Sequence, residues 1–315
     1  MGEPRTINGR RVVASKIRKL LYSLVTIFLA ITAIFFIIRL SPGDPIEKIL
    51  GPEASVTDIE KYREQLGLNL SIGKQYINYL QGFFTGDLGE SLFKKKSVVE
   101  LLKTHLPPSV ILAIVATFFS TIFGVILGVI SAAKKSSGFD FSFRFISLLA
   151  LSFPIFSLAP LLVLFFSIKL NWLPVSEWLS FKHGILPAIT LIIPLSSVLS
   201  RVTRNKYLEE EHGPWVQVLT AKGMSDFSVI LRVAKVCLPS VLNVVAIQLS
   251  VVLAGTMITE TIFDIPGIGS LLFEGIQNRD YPVVQGIIIY STVIYMGVYF
   301  LIDILNEFID PRINS

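Results

Sequence analysis

Apolar runs near twenty residues long recur along the chain and predict helices that span a membrane. A bilayer core of about 30 Å requires roughly 20 apolar residues of helix. Six segments meet this requirement, so the sequence predicts six membrane spans. They lie at 20–40, 108–132, 145–168, 185–200, 238–259 and 284–305.

The later spans form a core at 108–305, and the fold class is predicted to be an all-α integral membrane protein. The fourth span is the shortest because Pro187 and Pro194 interrupt it. A proline bend inside a helix bundle accounts for such an interruption. In the second span, Gly124 and Gly128 form a GxxxG pattern that is typical of closely packed helices.

Lysines and arginines between the spans indicate the orientation of the chain. Short cytoplasmic segments of membrane proteins carry an excess of these residues. The short segments on one side hold sixteen of them, against three on the other. The long 41–107 segment is left out because long translocated segments escape the rule. The cytoplasmic side then holds the termini at 1–19 and 306–315, together with 134–144 and 201–236.

The outer segment, 41–107, carries its own helix signals. Thr57 and Ser97 each precede a glutamate by three residues, which predicts a capped helix start at both places. A series of apolar and aromatic residues at helical spacing lies between them, and Gly86 ends it. Its members are Tyr76, Tyr79, Leu80, Phe83 and Phe84. The segment is predicted to be a small helical unit, either a lid on the first two spans or a docking surface for a soluble partner.

The largest cytoplasmic segment, 201–236, contains the polar stretch HGPWVQVLTAKGMSDF at 212–227. Pro214 suits the first turn of a helix and Gly223 its end, which predicts about two helical turns. The apolar face of this helix consists of Trp215, Val218 and Leu219. Such a helix suits either the membrane interface or a groove in a soluble partner.

Composition agrees with a membrane protein, because 52% of the residues are hydrophobic and only 16% are charged. The net charge of +5 is accounted for by membrane orientation, and no nucleic-acid partner is expected. The single cysteine, Cys237, excludes an intrachain disulfide and a metal site with several cysteines.

The segment TAKGMSDFSVILRVAKVCLP at 220–239 resembles the cytoplasmic coupling loop of ATP-binding cassette (ABC) importer permeases, in their peptide and nickel branch. Gly223 and the Leu238-Pro239 pair fit the general pattern of that loop. Its usual Glu-Ala-Ala is replaced here by Gln-Val-Leu at 217–219, and the distance from Gly223 to the Leu-Pro pair is longer. Further stretches resemble the same branch in the same order. They are RLSPGDP at 39–45, YREQLGL at 62–68, GDLGESL at 86–92, FDIPGIGSLL at 263–272, NRDYPVVQG at 278–286 and DPRI at 310–313.

This resemblance implies a type I ABC importer permease fold in a bacterial cytoplasmic (inner) membrane, with both termini cytoplasmic. It implies a heterodimer with a second homologous permease, two cytoplasmic ABC ATPase subunits and an extracytoplasmic substrate-binding protein. ATP and Mg are then bound by the partner ATPases, and this chain binds no cofactor. The ATPase-coupling helix implied by the likeness consists of Trp215, Val216, Gln217, Val218, Leu219, Thr220, Ala221, Lys222, Gly223 and Met224.

The resemblance leaves the substrate open. Oligopeptides and dipeptides are expected first, with nickel or a chelated metal (metallophore) as the alternative. Because His, Cys and Met are scarce in the spans, a naked metal ion is not expected to be ligated there. A secondary transporter is the alternative from another class. It requires a coupling-ion site near the midplane, whereas the predicted span centres are almost wholly apolar.

No catalytic motif is present, so ATP hydrolysis is expected from partner subunits. The nearest approach to a phosphate-binding loop is GLNLSIGKQ at 67–75, which has five residues between its glycines and no Ser or Thr after the lysine. Acidic side chains within spans are costly. Glu260 and Asp303 are therefore candidates for the translocation path, with interfacial solvation or pairing to a neighbouring subunit as the alternative.

Overall fold

The computed structural model describes residues 9–40, 45–51 and 54–309, and these residues form helices joined by short connections. Residues 1–8 and 310–315 of the predicted termini lie outside this described part, and so does the 310–313 motif. The helices are α1 (Gly9–Leu40), α2 (Pro45–Leu50), α3 (Val56–Gln65), α4 (Ile72–Thr85), α5 (Val98–Ala133), α6 (Gly138–Ser152), α7 (Ile155–Leu162), α8 (Phe181–Glu211), α9 (Pro214–Ala221), α10 (Asp226–Leu253), α11 (Met257–Ile262), α12 (Ile268–Asn278) and α13 (Tyr281–Ile309). A π-helical segment, Val163–Lys169, continues α7.

Five helices in the described part of the chain are long and apolar enough to cross a membrane. They are Leu20–Leu40 of α1, α5, α8, α10 and Tyr281–Leu301 of α13. The α6 helix and the α7 segment with its π-helical continuation satisfy the same test only as a pair, and the pair is bent by 103°. The described chain therefore has five candidate spans, or six if the bent pair forms one broken span.

The third predicted span, 145–168, is not one continuous helix. The chain breaks after Ser152, where Phe153 is extended and Pro154 precedes the first residue of α7. A proline disfavours the helical conformation of the residue before it, so Phe153 cannot continue α6. The proline rule applies to the sequence directly. The break was not predicted because the residues on both sides of Pro154 form one continuous apolar run.

The fourth and fifth spans also differ from their predicted limits. The α8 helix continues through both internal prolines and ends at Glu211, well past the predicted end at residue 200. The α10 helix begins earlier and ends earlier than predicted, at Asp226 and Leu253. Gly255 then has φ of +117°, a conformation that L residues rarely adopt, and the short α11 follows. Glu260 consequently lies on a separate short helix.

The chain forms two compact units. The first comprises 1–107 and 266–296, as far as these residues are described. Within it, α4 packs its aromatic face on α1, with Phe35 5.0 Å from Tyr76 and 5.4 Å from Tyr79, measured between ring centroids. Burial raises the pKa of Tyr79 well above its usual value. The predicted end of α4 at Gly86 is confirmed, because Gly86 has φ of +80°.

One predicted helix start in this unit is wrong, and the other is confirmed. The side chain of Ser55, not Thr57, accepts the capping hydrogen bond of α3, from the Asp58 amide at 3.2 Å. The hydroxyl of Ser97 accepts from the Glu100 amide at 3.1 Å, as predicted. Ser55 lies one residue before the α3 helix, where a capping side chain can reach the third helical amide.

The second unit comprises 108–265 and 297–315, as far as described, and contains most of the permease core. Its main apolar cluster consists of Leu112, Ala113, Ala116, Ala159, Leu186, Ala188, Leu191, Val252, Phe263 and Ile265. The predicted close packing at the GxxxG pattern is confirmed. A Cβ atom at Gly124 would lie 2.5 Å from the Leu199 Cβ, and one at Gly128 would lie 2.6 Å from the Ser200 carbonyl oxygen. The backbones of α5 and α8 therefore meet directly.

Candidate functional site

The predicted cytoplasmic helix is present as α9, with local signals at both ends. Gly213 occupies the N-cap position and Pro214 the first helical position. At the other end, the Gly223 amide donates to the Thr220 carbonyl and the Met224 amide donates to the Leu219 carbonyl. Gly223 has φ of +75°, so the helix ends in a Schellman motif, as the sequence predicted from this glycine.

One side of α9 packs against the ends of three spanning helices. Val216 is only 6% exposed and belongs to a buried cluster with residues of α5, α8 and α10. We call these residues the α9 platform: Ala132, Tyr207, Val229, Val233 and Cys237. Trp215, Leu219 and Met224 pack at its edge and are partly buried. The α9 helix is therefore attached to the permease core by apolar contacts.

The opposite side of α9 is open. Gln217, Val218 and Lys222 are exposed, with Val218 at 51%. Beside them a groove of about 620 Å³ runs between α9 and α10. Its lining consists of Trp215, Val218, Leu219, Arg232, Lys235 and Val236. The surface that a partner could contact is thus mixed, with an apolar floor and two basic side chains.

The ten residues assigned to the coupling helix from the family resemblance divide into two groups. Four of them pack wholly or partly on the core: Trp215, Val216, Leu219 and Met224. The other six are exposed: Gln217, Val218, Thr220, Ala221, Lys222 and Gly223. The first group attaches the helix to this chain and the second group is exposed, while Trp215 and Leu219 also line the groove beside α10.

The structure describes the side-chain surroundings of only one of the two acidic candidates for the translocation path. Glu260 is fully buried in the second unit, where its carboxylate accepts hydrogen bonds from the Ser109 hydroxyl at 2.8 Å and the Thr256 hydroxyl at 3.4 Å. The carboxylate is therefore hydrogen-bonded within the second unit, and its place on the translocation path stays a prediction. Asp303 lies on α13, but its side chain is outside the described part of the chain.

A second buried carboxylate was missed by the sequence reasoning. Asp140 near the start of α6 is 1% exposed and forms a two-point ion pair with Arg204 of α8. The Arg204 Nε donates to Oδ1 at 2.8 Å and its Nη2 to Oδ2 at 2.9 Å. The Ser131 hydroxyl of α5 also donates to Oδ1, at 2.7 Å. Only the spacing of Ser137 and Asp140, a helix-start signal, marked this position in the sequence.

A third buried carboxylate, Asp280, lies in the first unit, within the motif at 278–286. It accepts hydrogen bonds from the Ser91 hydroxyl at 2.5 Å and from the Leu92 amide at 3.2 Å. These contacts tie the loop after α4 to the connection between α12 and α13. Among the residues that the structure describes, no group of three or more His, Cys, Asp or Glu side chains is arranged to hold a metal ion.

Sequence profiles of two related families match most of this chain. "Binding-protein-dependent transport system inner membrane component" matches residues 124–315. "Binding-prot-dependent transport system membrane comp, N-term" matches residues 13–113. The second match ends in α5 and the first begins in the same helix, so the two together cover the outer segment and the permease core.

Curated relatives are similar over nearly the whole chain. A dipeptide transport system permease protein, DppB, of Alkalihalophilus pseudofirmus is 37% identical over 96% of this chain and 99% of its own length. A probable peptide ABC transporter permease protein, y4tP, of Sinorhizobium fredii is 32% identical over 94% and 98%. A glutathione transport system permease protein, GsiC, of Escherichia coli is 31% identical over 94% and 97%.

The fold also has a solved counterpart. An inward-facing structure of the MetNI methionine ABC transporter contains a chain that superposes with a TM-score of 0.52 at 15% identity, covering 69% of this chain and 97% of that one. At this identity the likeness supports the fold alone, and it agrees with the helical permease core. The chain therefore belongs to the family of binding-protein-dependent transport system inner membrane components, and it is a permease of an ABC importer.

Proposed function

We propose that this chain imports peptides as one of two permease subunits of a bacterial ABC importer, driven by cytoplasmic ATPases that dock on α9. A second homologous permease would complete the translocation path, and an extracytoplasmic binding protein would deliver the substrate. The family and the full-length relatives support the assembly in general terms. The charge asymmetry of the short segments supports cytoplasmic termini and a cytoplasmic α9.

The two-sided character of α9 is the observation that carries the docking proposal. Its inner side is held by the α9 platform, while Gln217, Val218 and Lys222 on its outer side have no such cover within the described chain. A short exposed helix of this kind suits a cleft in a soluble partner. The groove beside α10 adds Arg232 and Lys235, which favour acidic side chains on that partner.

The packing of α9 suggests how a motion of the ATPases is passed to the spanning helices. The α9 platform includes Ala132 at the end of α5, Tyr207 near the end of α8, and Val233 in α10. A displacement of α9 by a closing ATPase would therefore act on three spans at once. Two arrangements of the spans that differ little in free energy would then be biased by nucleotide. The partner ATPases supply ATP binding and hydrolysis, and this chain supplies the coupling surface.

Peptides are the favoured substrate because the relatives at 31 to 37% identity carry names for peptide, dipeptide and glutathione transport. Glutathione is itself a small peptide. The names reported for these relatives include none for nickel, so a nickel or metallophore substrate is the less favoured alternative. A secondary carrier is less favoured still, because the family is one of binding-protein-dependent systems.

The docking proposal is tested by co-purifying the ATPases with the full importer in mild detergent. We expect Val218→Asp to lose the ATPases while still recovering the second permease. Val175→Asp is a matched control, because Val175 is 50% exposed, against 51% for Val218, and lies on the predicted outer side. Charging Trp215 and Leu219 is less informative, since both side chains also pack on this chain. Full ATPase recovery by Val218→Asp would contradict the proposal.

The substrate is tested by uptake into proteoliposomes that contain the whole importer. Labelled dipeptides and oligopeptides are expected to accumulate only with the binding protein outside and ATP inside. Labelled Ni²⁺, alone and with a chelator, serves as the competing substrate. Accumulation of nickel without peptide uptake would replace the peptide proposal, and uptake without nucleotide would indicate a secondary carrier.

A further inference from the structure

The ion pair between Asp140 and Arg204 joins three helices at the end of the bundle that carries α9. Asp140 lies in α6, Arg204 in α8, and the Ser131 hydroxyl that also contacts the carboxylate lies in α5. The backbone amide of Ser136, between α5 and α6, donates to the second carboxylate oxygen at 3.2 Å. The hydrogen bonds from Ser131 and Arg204 therefore reach the α6 carboxylate from two other helices.

This carboxylate is fully surrounded by donors. Arg204 contacts both of its oxygens, and only 14% of the Arg204 side chain is exposed. The amide end of α6 adds a favourable dipole for an anion. Arg144, one turn further along α6, is 3.6 Å from Oδ1, but its side chain is 52% exposed. A buried two-point pair of this kind holds a defined geometry, which a lysine could not reproduce.

Stability alone is a weak reason for such a pair. Desolvating both charges costs free energy that their attraction roughly offsets, and apolar side chains of similar volume are often as stable. The better-supported use of a buried polar contact is to set one arrangement of packed elements. Here the arrangement concerns α5, α6 and α8, whose polar contacts lie beside the packing surface of α9.

The pair adjoins the α9 platform along the chain. Ser131 directly precedes Ala132, and Arg204 lies one helical turn before Tyr207. Ala132 and Tyr207 both belong to the cluster that contains Val216 of α9. A displacement of the α9 platform would therefore also displace the turns of α5 and α8 that contact Asp140.

We propose that Asp140 and Arg204 are positioning residues for import, which make the α9-side ends of α5, α6 and α8 move as one body when α9 is displaced. The pair stays closed through the transport cycle and passes the motion of α9 to α6. When the ion pair is lost, α9 still moves but α6 no longer moves with it. Less substrate is then imported for each ATP hydrolysed. This inference rests on the proposed role of α9.

The first experiment measures ATP hydrolysed per peptide imported by the whole reconstituted complex. Arg204→Lys keeps the charge but loses the two-point contact, and Asp140→Asn keeps the shape but loses the charge. We expect either variant to assemble, to hydrolyse ATP at near the normal rate, and to raise the ATP consumed per peptide about tenfold. The exchanged pair, Asp140→Arg with Arg204→Asp, is expected to recover part of the loss.

Lys206→Met is the matched control. Lys206 lies on the same helix as Arg204 and pairs with Glu209 and Glu210, so its ion pairs stay within α8 and join no other helix. We expect this variant to leave the ratio of ATP to peptide unchanged. An unchanged ratio in assembled Arg204→Lys and Asp140→Asn complexes would overturn the inference, as would an equal rise in Lys206→Met.

A second measurement uses the unaltered complex and so does not depend on any variant folding. Hydrogen exchange is followed at the Ser136 amide, which donates a hydrogen bond to the Asp140 carboxylate at the start of α6. A pair that stays closed predicts equal protection with and without a non-hydrolysable ATP analogue. Increased exchange with the analogue would show that the pair opens during the cycle, and the inference would be wrong.

The two proposals fail in different ways. Full ATPase recovery by Val218→Asp would remove the role of α9, and with it the basis of this inference. Loss of the ATPases in Val218→Asp, combined with normal coupling in the Asp140 and Arg204 variants, would leave α9 as the coupling helix. The same result would mean that the buried ion pair is a structural contact with no role in coupling.

Discussion

Two short helices in the second unit illustrate how differently similar elements can be used. The α9 helix has eight residues and the α11 helix six, and each follows a long spanning helix. One side of α9 is open, whereas α11 carries the buried pair Thr259 and Glu260. Contacts with α7 and α8 enclose α11, while α9 is contacted by α10 and the platform.

The two helices show that an acidic residue near a span can serve the packing of the fold, and that an apolar residue within a polar region need not be buried. Glu260 was predicted as a candidate for the translocation path because it is an acid near a span. Its hydrogen bond with Ser109 connects α11 to α5. Val218 is apolar, yet it is among the accessible residues of α9. Substitutions at the two helices should therefore separate loss of stability from loss of coupling.

The largest effect on stability is expected from Val216→Asp. This change places an unpaired charge in the α9 platform, which should destabilise the folded state by about 3 kcal/mol or more. The thermal unfolding midpoint of the purified chain in detergent is the measurement. Gln217→Asp, at the neighbouring exposed position, is the control and should leave the midpoint nearly unchanged. Similar midpoints for the two variants would mean that α9 is not held by its inner side.

Glu260→Ala is expected to have the next largest effect. It removes the carboxylate that accepts from Ser109 and Thr256 and leaves a void, at a cost of about 1–3 kcal/mol. Glu260→Gln keeps an acceptor of the same shape and should lose less. If the alanine variant lowers the unfolding midpoint no more than the glutamine variant, the hydrogen bonds to Glu260 contribute nothing to the stability of α11.

Gly223→Val should cost about 1–2 kcal/mol, because Gly223 has φ of +75°. No atom lies within 4 Å of a Cβ atom built at this position, so the cost is backbone strain and not a clash. The measurements are the unfolding midpoint and the yield of assembled importer. Gly138→Val is the control, since Gly138 also has open space but has no positive φ. Gly223→Asn should be milder. Equal yields for Gly223→Val and the unaltered chain would remove the role assigned to this turn.

Val218→Asp should have the smallest effect on stability and a large effect on assembly. Exposed substitutions of this kind change stability by no more than about 0.5 kcal/mol. The unfolding midpoint of the isolated chain should therefore match that of the unaltered chain, even where the ATPases are lost from the complex. A large drop in the midpoint would show that Val218 supports the fold, and the loss of ATPases could then not be assigned to docking.

Local signals made α9 predictable. Pro214 lies at the start of the helix and Gly223 follows its end. Each acts through the local backbone conformation, so the limits of the helix can be predicted without knowledge of distant contacts. The same holds for Gly86 at the end of α4. The break at Pro154 was readable by the same kind of rule, but the hydrophobic count alone extended the span across it.

Long-range pairs were not predictable. The Asp140 carboxylate pairs with Arg204, 64 residues further along the sequence. The Asp280 carboxylate accepts a hydrogen bond from Ser91, at a separation of 189 residues. Nothing in the spacing of a sequence selects one arginine from several on neighbouring helices. The burial of Glu260 was not predictable for the same reason, since Ser109 lies 151 residues before it.

The amino-acid sequence alone predicted about six membrane spans, an orientation for the chain, and the start and end of α9. These properties follow from composition along the chain and from local backbone preferences. The attached side of α9, the identity of the buried carboxylates and the helices they join became visible only once the chain was folded. Such choices depend on side chains brought together by packing, because burying a charge is tolerable only where its partner is already in place.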